Sequence, residues 1–256
     1  MRNGLMALLA ANRGAGQFRA ESTGDDEATI WLYDVIVRDD YWGGVSALTL
    51  GKALADHRTA SMIHLRIDSP GGDVFAGRAM EQLIAEHPAR VIAHVDGFAA
   101  SAASFVARSA PEVVIAPGGM FMIHKAWTWT YGNADQIRKD AELLEMIDET
   151  LVKTYAEKTG QDIDKLREWL AAETWMTAEQ AVERGFADRI AGAESVTPEE
   201  NPEANALAWD LSAYARAPAA RLPAARRPQP VASSTLPPQP IFDRAAALRR
   251  LEVSQL

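Results

Sequence analysis

Cysteine is absent from the 256 residues, which excludes disulfides, thiolate catalysis and cysteine-ligated zinc, and suits a reducing cytoplasm. No uninterrupted apolar run approaches the ~20 residues that a membrane-spanning helix requires. Neither glycine-rich phosphate signature, GxGxxG or GxxxxGK(S/T), occurs in the chain. Positive charge is in deficit: the net charge is −9, whereas a general nucleic-acid binder is usually basic. No internal repeat is evident. These absences leave a cytoplasmic globular protein with neither metal nor cofactor as the expectation. The 48% hydrophobic content suffices for one sizeable core.

Composition divides the chain into three parts. Residues 1–27 read as an N-terminal arm. Gly4 to Ala11 has the look of a short secretion-signal core, but Asn12 and Arg13 follow at once without a small-x-small cleavage site. Residues 28–195 alternate strand-like and helix-like segments, the pattern of an α/β domain with crossover connections. Strands are expected over 29–37, 62–68, 90–95, 112–116 and 120–124. Helices are expected over 44–57, 74–86, 102–108, 163–171 and, longest, 134–158, where Ile137, Ala141, Leu144, Ile147, Leu151 and Tyr155 recur at helical spacing. Thr177-Ala178-Glu179-Gln180 has capping-box form, and Gly185 stops the helix it starts. Residues 196–256 read as a flexible tail. From Ser212 onward they hold seven of the thirteen prolines and seven arginines against Asp243 and Glu252, a net +5. A short helix over 242–251 could serve there as a docking peptide for an acidic partner.

Three stretches carry chemistry. Gly97-Phe98-Ala99-Ala100-Ser101-Ala102-Ala103-Ser104 sets a serine among residues too small to cover it, at a strand-to-helix junction. Helix capping is the commonest task of such a serine, and a helix N-terminus also favours developing negative charge. Ser104, one turn on, is expected to face the core or a neighbouring subunit. Met120-Phe121-Met122-Ile123-His124 ends an apolar run on an imidazole, the usual activator of a hydroxyl nucleophile. Ile67-Asp68-Ser69-Pro70-Gly71-Gly72-Asp73 can aim backbone N–H groups at an oxyanion, or simply turn the chain. Among the many acids that could orient the imidazole, spacing selects none. Glu173, in a loop before a capped helix among bulky neighbours, is one candidate. Together the stretches point to a serine hydrolase.

In this order the motifs resemble the Clp protease proteolytic subunit (ClpP) family, over about residues 28–191. Ile67 to Gly72 is similar to its glycine-rich turn, Gly97 to Ser101 to its nucleophile segment, and Met122 to His124 to its histidine segment. Trp175 to Gly185 is similar to the helix after its third triad member. The resemblance implies an α/β fold of repeated β-β-α units with a protruding long helix, Ser101 as nucleophile and His124 as general base. It further implies an oxyanion hole from the N–H groups of Gly72 and Ala102, with Glu173 at the family's aspartate position. Ala102-Ala103 replaces the common Met-Gly. Within the family, Tyr41 to Ser46, Asp73-Val74-Phe75, Ala99 to Ser104 and Glu173 to Thr177 resemble the head maturation (prohead) proteases of tailed bacteriophages.

That resemblance implies polypeptide substrates such as capsid and scaffold proteins, a homo-oligomeric ring of seven subunits or stacked rings, and work in host cytoplasm or procapsid, with neither nucleic acid nor membrane as partner. Alternatives are a general proteolytic subunit serving an ATPase unfoldase and a non-catalytic scaffold ring. A crotonase-type acyl-CoA enzyme would use backbone oxyanion donors without the serine–histidine pair. A signal peptide peptidase would use a Ser-Lys dyad, with Lys125 beside His124, and a membrane anchor.

Overall fold

The computed structural model describes residues 4–24, 26–192 and 209–218. Helix α1 (Gly4–Ala11) leads to strand β1 (Gln17–Ser22), which runs antiparallel to β2 (Glu27–Tyr33). The short strands β3 (Ile36–Val37) and β4 (Val45–Ser46) pair with each other, and α2 (Ala47–Asp56) follows. Then come β5 (Met62–Ser69), α3 (Val74–Ala85), β6 (Arg90–Ala100), α4 (Ala102–Ser109), β7 (Glu112–Ile115) and β8 (Met120–Ile123). The long helix α5 (Ala134–Thr159), α6 (Ile163–Ala171), β9 (Thr174–Thr177), α7 (Ala178–Glu183) and β10 (Arg189–Ile190) complete the order. The main sheet runs β1-β2-β5-β6-β7-β10, parallel from β2 onward. The α/β class expected from the alternation is observed.

Period-two patterning explains the layering. Ile63, Leu65 and Ile67 of β5 and Val91, Ala93 and Val95 of β6 point into the main core, with Met80 and Phe105 from α3 and α4. The opposite face carries a paired polar cluster. Arg66 holds Asp96 with two hydrogen bonds of 3.0 and 2.7 Å, and the Tyr33 hydroxyl donates to the same carboxylate at 2.6 Å. His64 Nδ1 lies 2.9 Å from His94 Nε2. Burial, then the positive charge of Arg66, pushes the His94 pKa down to about 3.

One irregularity decides where the site forms. Between β5 and β6 the register jumps: Ile67 lies opposite Val95, but Ser69 lies opposite Ala99. The buried Asp68 carboxylate occupies the slack and accepts the Phe98 N–H at 3.0 Å. Gly97 permits this, because a Cβ there would approach an Asp68 carboxylate carbon to 2.6 Å. Past the bulge, β6 leaves β7 and pairs with β8, Ala100 opposite Met122. The strand bearing the serine thus ends beside the strand leading to the histidine.

Several boundaries differ from the sequence reading, each for a local reason. The single strand expected over 29–37 breaks at Asp34, whose side chain accepts the Val35 N–H at 2.7 Å and whose carbonyl accepts the Ser69 hydroxyl at 2.6 Å. The helix expected from Gly44 starts at Ala47, because Ser46 caps it by accepting the Thr49 N–H. The strand starting at Arg90 runs to Ala100, not Val95, since its second half finds a partner in β8. Strands β1, β9 and β10 lack a clear alternation and were not foreseen. The region read as an N-terminal arm supplies α1 and the edge strand β1.

Within the stretch read as a flexible tail, residues 209–218 are packed in the structure. Trp209, Leu211 and Tyr214 are buried, packing with Leu8, Val35, Val37, Phe98 and Met122 in a second apolar cluster. Three large apolar side chains within six residues outweigh the disorder signalled by the flanking prolines. The stretch suggested as a terminal helix and docking peptide, 242–251, lies outside the described residues. Among those described, no helix is long and apolar enough to cross a membrane.

Candidate active site

Ser101 joins β6 to α4 with φ 51° and ψ −122°, a left-handed conformation that non-glycine residues rarely adopt. Its amide donates to Met122 O at 2.9 Å. Its hydroxyl does not cap α4; it lies 2.7 Å from His124 Nε2. The hydroxyl and imidazole, 23 residues apart in sequence, are therefore within hydrogen-bonding reach. His124 is fixed on both sides. It follows β8, while the next two amides, of Lys125 and Ala126, donate to Leu170 O and the Asp148 carboxylate at 3.1 and 2.8 Å.

Burial pushes the His124 pKa down to about 4, partly opposed by the negative charge of Glu173. The imidazole is thus neutral at pH 7 and free to accept a proton at Nε2 when Nδ1 carries its hydrogen.

The Pro70-Gly71-Gly72 turn closes over the serine. Ile36 donates to Gly71 O and accepts from the Asp73 N–H, both at 2.8 Å. In that alternation the Gly72 N–H must face away from Ile36. Gly71 (φ 88°) and Gly72 (φ 151°) both need glycine's freedom: a Cβ on the first would come 2.5 Å from Ala100 O, and one on the second would strike the Ile36 carbonyl. Among the described residues, neither the Gly72 nor the Ala102 N–H has a hydrogen-bond partner. Should the Gly72 N–H serve as an oxyanion donor, Gly72→Ala is expected to lower kcat for peptide hydrolysis about 10²- to 10³-fold, the loss that one such donor accounts for. The added methyl would push the turn off the Ile36 carbonyl and displace that N–H. Steady-state kinetics, with thermal unfolding to follow the accompanying strain, checks this.

Ser104 contributes more than the core packing expected of it. Its amide and hydroxyl both donate to Ser101 O, at 3.0 and 2.6 Å, and the hydroxyl also meets the Tyr155 hydroxyl of α5 at 2.6 Å. Holding that carbonyl fixes the peptide plane whose other edge is the Ala102 N–H. Ser104 lies three residues after Ser101, one turn into α4 and within reach of that carbonyl, whereas Tyr155 gave no local signal.

Glu173 reaches the neighbourhood but not the imidazole. It sits between α6 and β9 with φ 50°. Its carboxylate accepts the N–H groups of Ala215 (2.8 Å) and Arg216, and the Trp175 indole at 3.4 Å. Among the described residues, no hydrogen bond joins it to His124. Tyr214 packs into the same corner. Its ring meets His124 edge-on at 5.4 Å and Trp175 at 6.0 Å, and its hydroxyl donates to Pro70 O. Composition alone could not have brought residue 214 here.

Ser101 and His124 open onto a cavity of about 440 Å³, with Leu5, Leu8, Val74, Phe75, Leu144 and Ile147 among its walls. A concave apolar space next to a hydroxyl–imidazole pair can hold an apolar side chain of a polypeptide.

Residues 25–194, about two thirds of the chain, match the Clp protease family model. The chain belongs to the Clp protease family. It is similar to the ATP-dependent Clp protease proteolytic subunit 2 of Mycolicibacterium paratuberculosis, 30% identical over 156 residues that cover 60% of this chain and 77% of the relative. Against subunit 1 of Leifsonia xyli the identity is 29%, covering 63% and 81%. Against subunit 2 of Treponema denticola it is 34%, covering 54% and 70%. The match to the Clp protease family spans the glycine turn, both chemical residues and Glu173.

Proposed function

We propose that this chain is a serine endopeptidase of the ClpP type, cleaving polypeptides through an acyl-enzyme. The observation that carries the reading is the 2.7 Å approach of Ser101 Oγ to His124 Nε2 at the mouth of an apolar cavity, in a chain of the Clp protease family. His124 takes the proton as Ser101 Oγ attacks the scissile carbonyl. The Gly72 and Ala102 N–H groups receive the oxygen that becomes negative, and the imidazolium then protonates the leaving amine. Water repeats the sequence to release the acid. Glu173, once turned to Nδ1, holds the imidazole in the required tautomer. Ring assembly fits the exposed apolar residues of α5, where Ile137, Leu143 and Met146 lack cover.

Within this type, the role we favour is head maturation of a tailed bacteriophage, acting on capsid and scaffold proteins in host cytoplasm or procapsid. Its support is the glutamate at position 173, the Ala-Ala pair after the serine, and the basic, proline-rich composition of the C-terminal stretch. The printed names of the relatives favour a second reading, a general proteolytic subunit that depends on an ATPase partner.

One assay separates them. A biotinylated fluorophosphonate should modify Ser101, located by peptide mass spectrometry, and the purified ring should cut folded capsid or scaffold protein without nucleotide. Modification with cleavage only when an unfoldase and ATP are added supports the general subunit. A Ser101 that resists the probe leaves a scaffold ring.

A further inference from the structure

Residues 209–216 cross directly over the serine–histidine pair, and their attachments are specific. Asn12, buried in the turn after α1, donates through Nδ2 to Asp210 O at 3.0 Å and accepts the Asp210 N–H through Oδ1 at 2.7 Å. That bidentate contact joins residues 198 positions apart. Leu211 and Trp209 fill the apolar cluster beneath. At the far end Glu173 clasps two successive main-chain N–H groups, of Ala215 and Arg216. Between the anchors the Tyr214 ring covers the His124 edge, and its hydroxyl is spent on Pro70 O, in the turn before Gly72. The segment thus lies as a bound peptide would lie, against the site's own glutamate, imidazole and glycine turn.

We propose that residues 209–216 form an intramolecular strap that occupies part of the peptide-binding groove and keeps Glu173 from His124, so that the site is held in a less active state until the strap lifts. The inference rests on the peptidase reading above and concerns its regulation. Two alternative partners compete for one carboxylate: the strap's paired amides and the imidazole Nδ1–H. While the strap is down, Glu173 has two strong donors that belong to the peptide backbone of residues 215 and 216. When it lifts, the carboxylate loses both, keeps only the 3.4 Å contact to the Trp175 indole, and is free to turn to the His124 Nδ1–H. The groove then accepts, from another polypeptide, an aromatic residue in the place of the Tyr214 ring, while Glu173 stays with His124. An extended substrate therefore competes with the strap for that place, and filling the groove with substrate favours the engaged arrangement.

The test loosens the strap at positions away from the reacting atoms. In the full-length protein, Asn12→Ala removes both contacts to Asp210, and Leu211→Ala removes a buried anchor. Each is expected to raise the rate of Ser101 modification by the fluorophosphonate about tenfold, since two hydrogen bonds hold the first anchor. Hydrogen exchange at the amides of residues 215 and 216 should speed up in the same variants while β5 and β6 stay protected. A synthetic peptide of residues 209–218, added in trans, should slow the labelling of either variant. Unchanged or slower labelling in variants whose strap amides exchange quickly, or indifference to the added peptide, overturns the strap. Absence of labelling in wild type and both variants overturns the peptidase reading instead. Should one variant fail to fold, the other carries the comparison.

Discussion

On the peptidase reading, Ser101→Ala is expected to lower kcat for peptide hydrolysis on the order of 10⁴- to 10⁶-fold while leaving the fold as it is. The loss is large because, among the described residues, the hydroxyls beside His124 have other partners, that of Tyr214 in Pro70 O. The Ser104 hydroxyl, the nearest in sequence, is committed to Ser101 O and Tyr155. The fold survives because the Ser101 side chain contributes no cap to α4. The backbone strain at φ 51° is already present in the wild type, and alanine inherits it unchanged. Glycine does not: Ser101→Gly relieves about 1 kcal/mol of left-handed strain and should unfold at a higher temperature than Ser101→Ala, with equally little activity. Circular dichroism melts of the two variants alongside a peptide assay check both halves. A serine placed there for structure alone would show neither the activity loss nor a strain held without a capping bond.

The same contrast explains which parts of the site were legible in the sequence. Ser101 and His124 stood out because each ends a strand-like run next to residues of unusual size, and small neighbours or an apolar approach are local features. The glycine turn was legible for the same reason: consecutive glycines after proline mark a backbone that side chains cannot follow. What brings these pieces together was not local. The bulge on β6 depends on Asp68, Gly97 and Phe98 meeting across two strands, and nothing near Asp68 distinguishes it from an ordinary turn acid. Tyr155 and Tyr214 reach the site from 51 and 113 residues beyond Ser104 and Ser101, distances over which periodicity carries no information. Glu173 illustrates a different limit. Its position next to the site could be anticipated, but its partner could not, because the choice between an imidazole and two main-chain amides depends on residues of the C-terminal stretch. Proline and arginine content argued for disorder there, whereas Trp209, Leu211 and Tyr214 gain enough by burial to fix ten residues of it.

His124→Ala should reduce kcat about as severely as Ser101→Ala, and the double variant should be no worse than either alone. A hydroxyl without its base and a base without its hydroxyl are equally unproductive, so the effects do not add. The pH response supplies an independent check. In the folded protein burial holds the His124 pKa at about 4, whereas an unfolded histidine titrates near ~6.5. Between these values the unfolded chain binds a proton that the folded one refuses, so stability drops as pH falls from about 6.5 toward 4. For a fully developed shift of this size the cost is roughly 3 kcal/mol. His124→Ala lacks this penalty, so its stability relative to wild type should improve progressively across that window and level off below it. Buried His94, with its pKa pushed down to about 3, remains in both proteins and cancels from the difference. The wild-type kcat/KM should correspondingly keep its acid limb well below ~6.5, because the free enzyme retains a neutral imidazole there. Urea unfolding at a series of pH values, paired with initial rates over the same range, measures both. A stability difference independent of pH, together with an acid limb near ~6.5, would mean that His124 sits in water instead of in the desolvated corner between Tyr214 and Ser101.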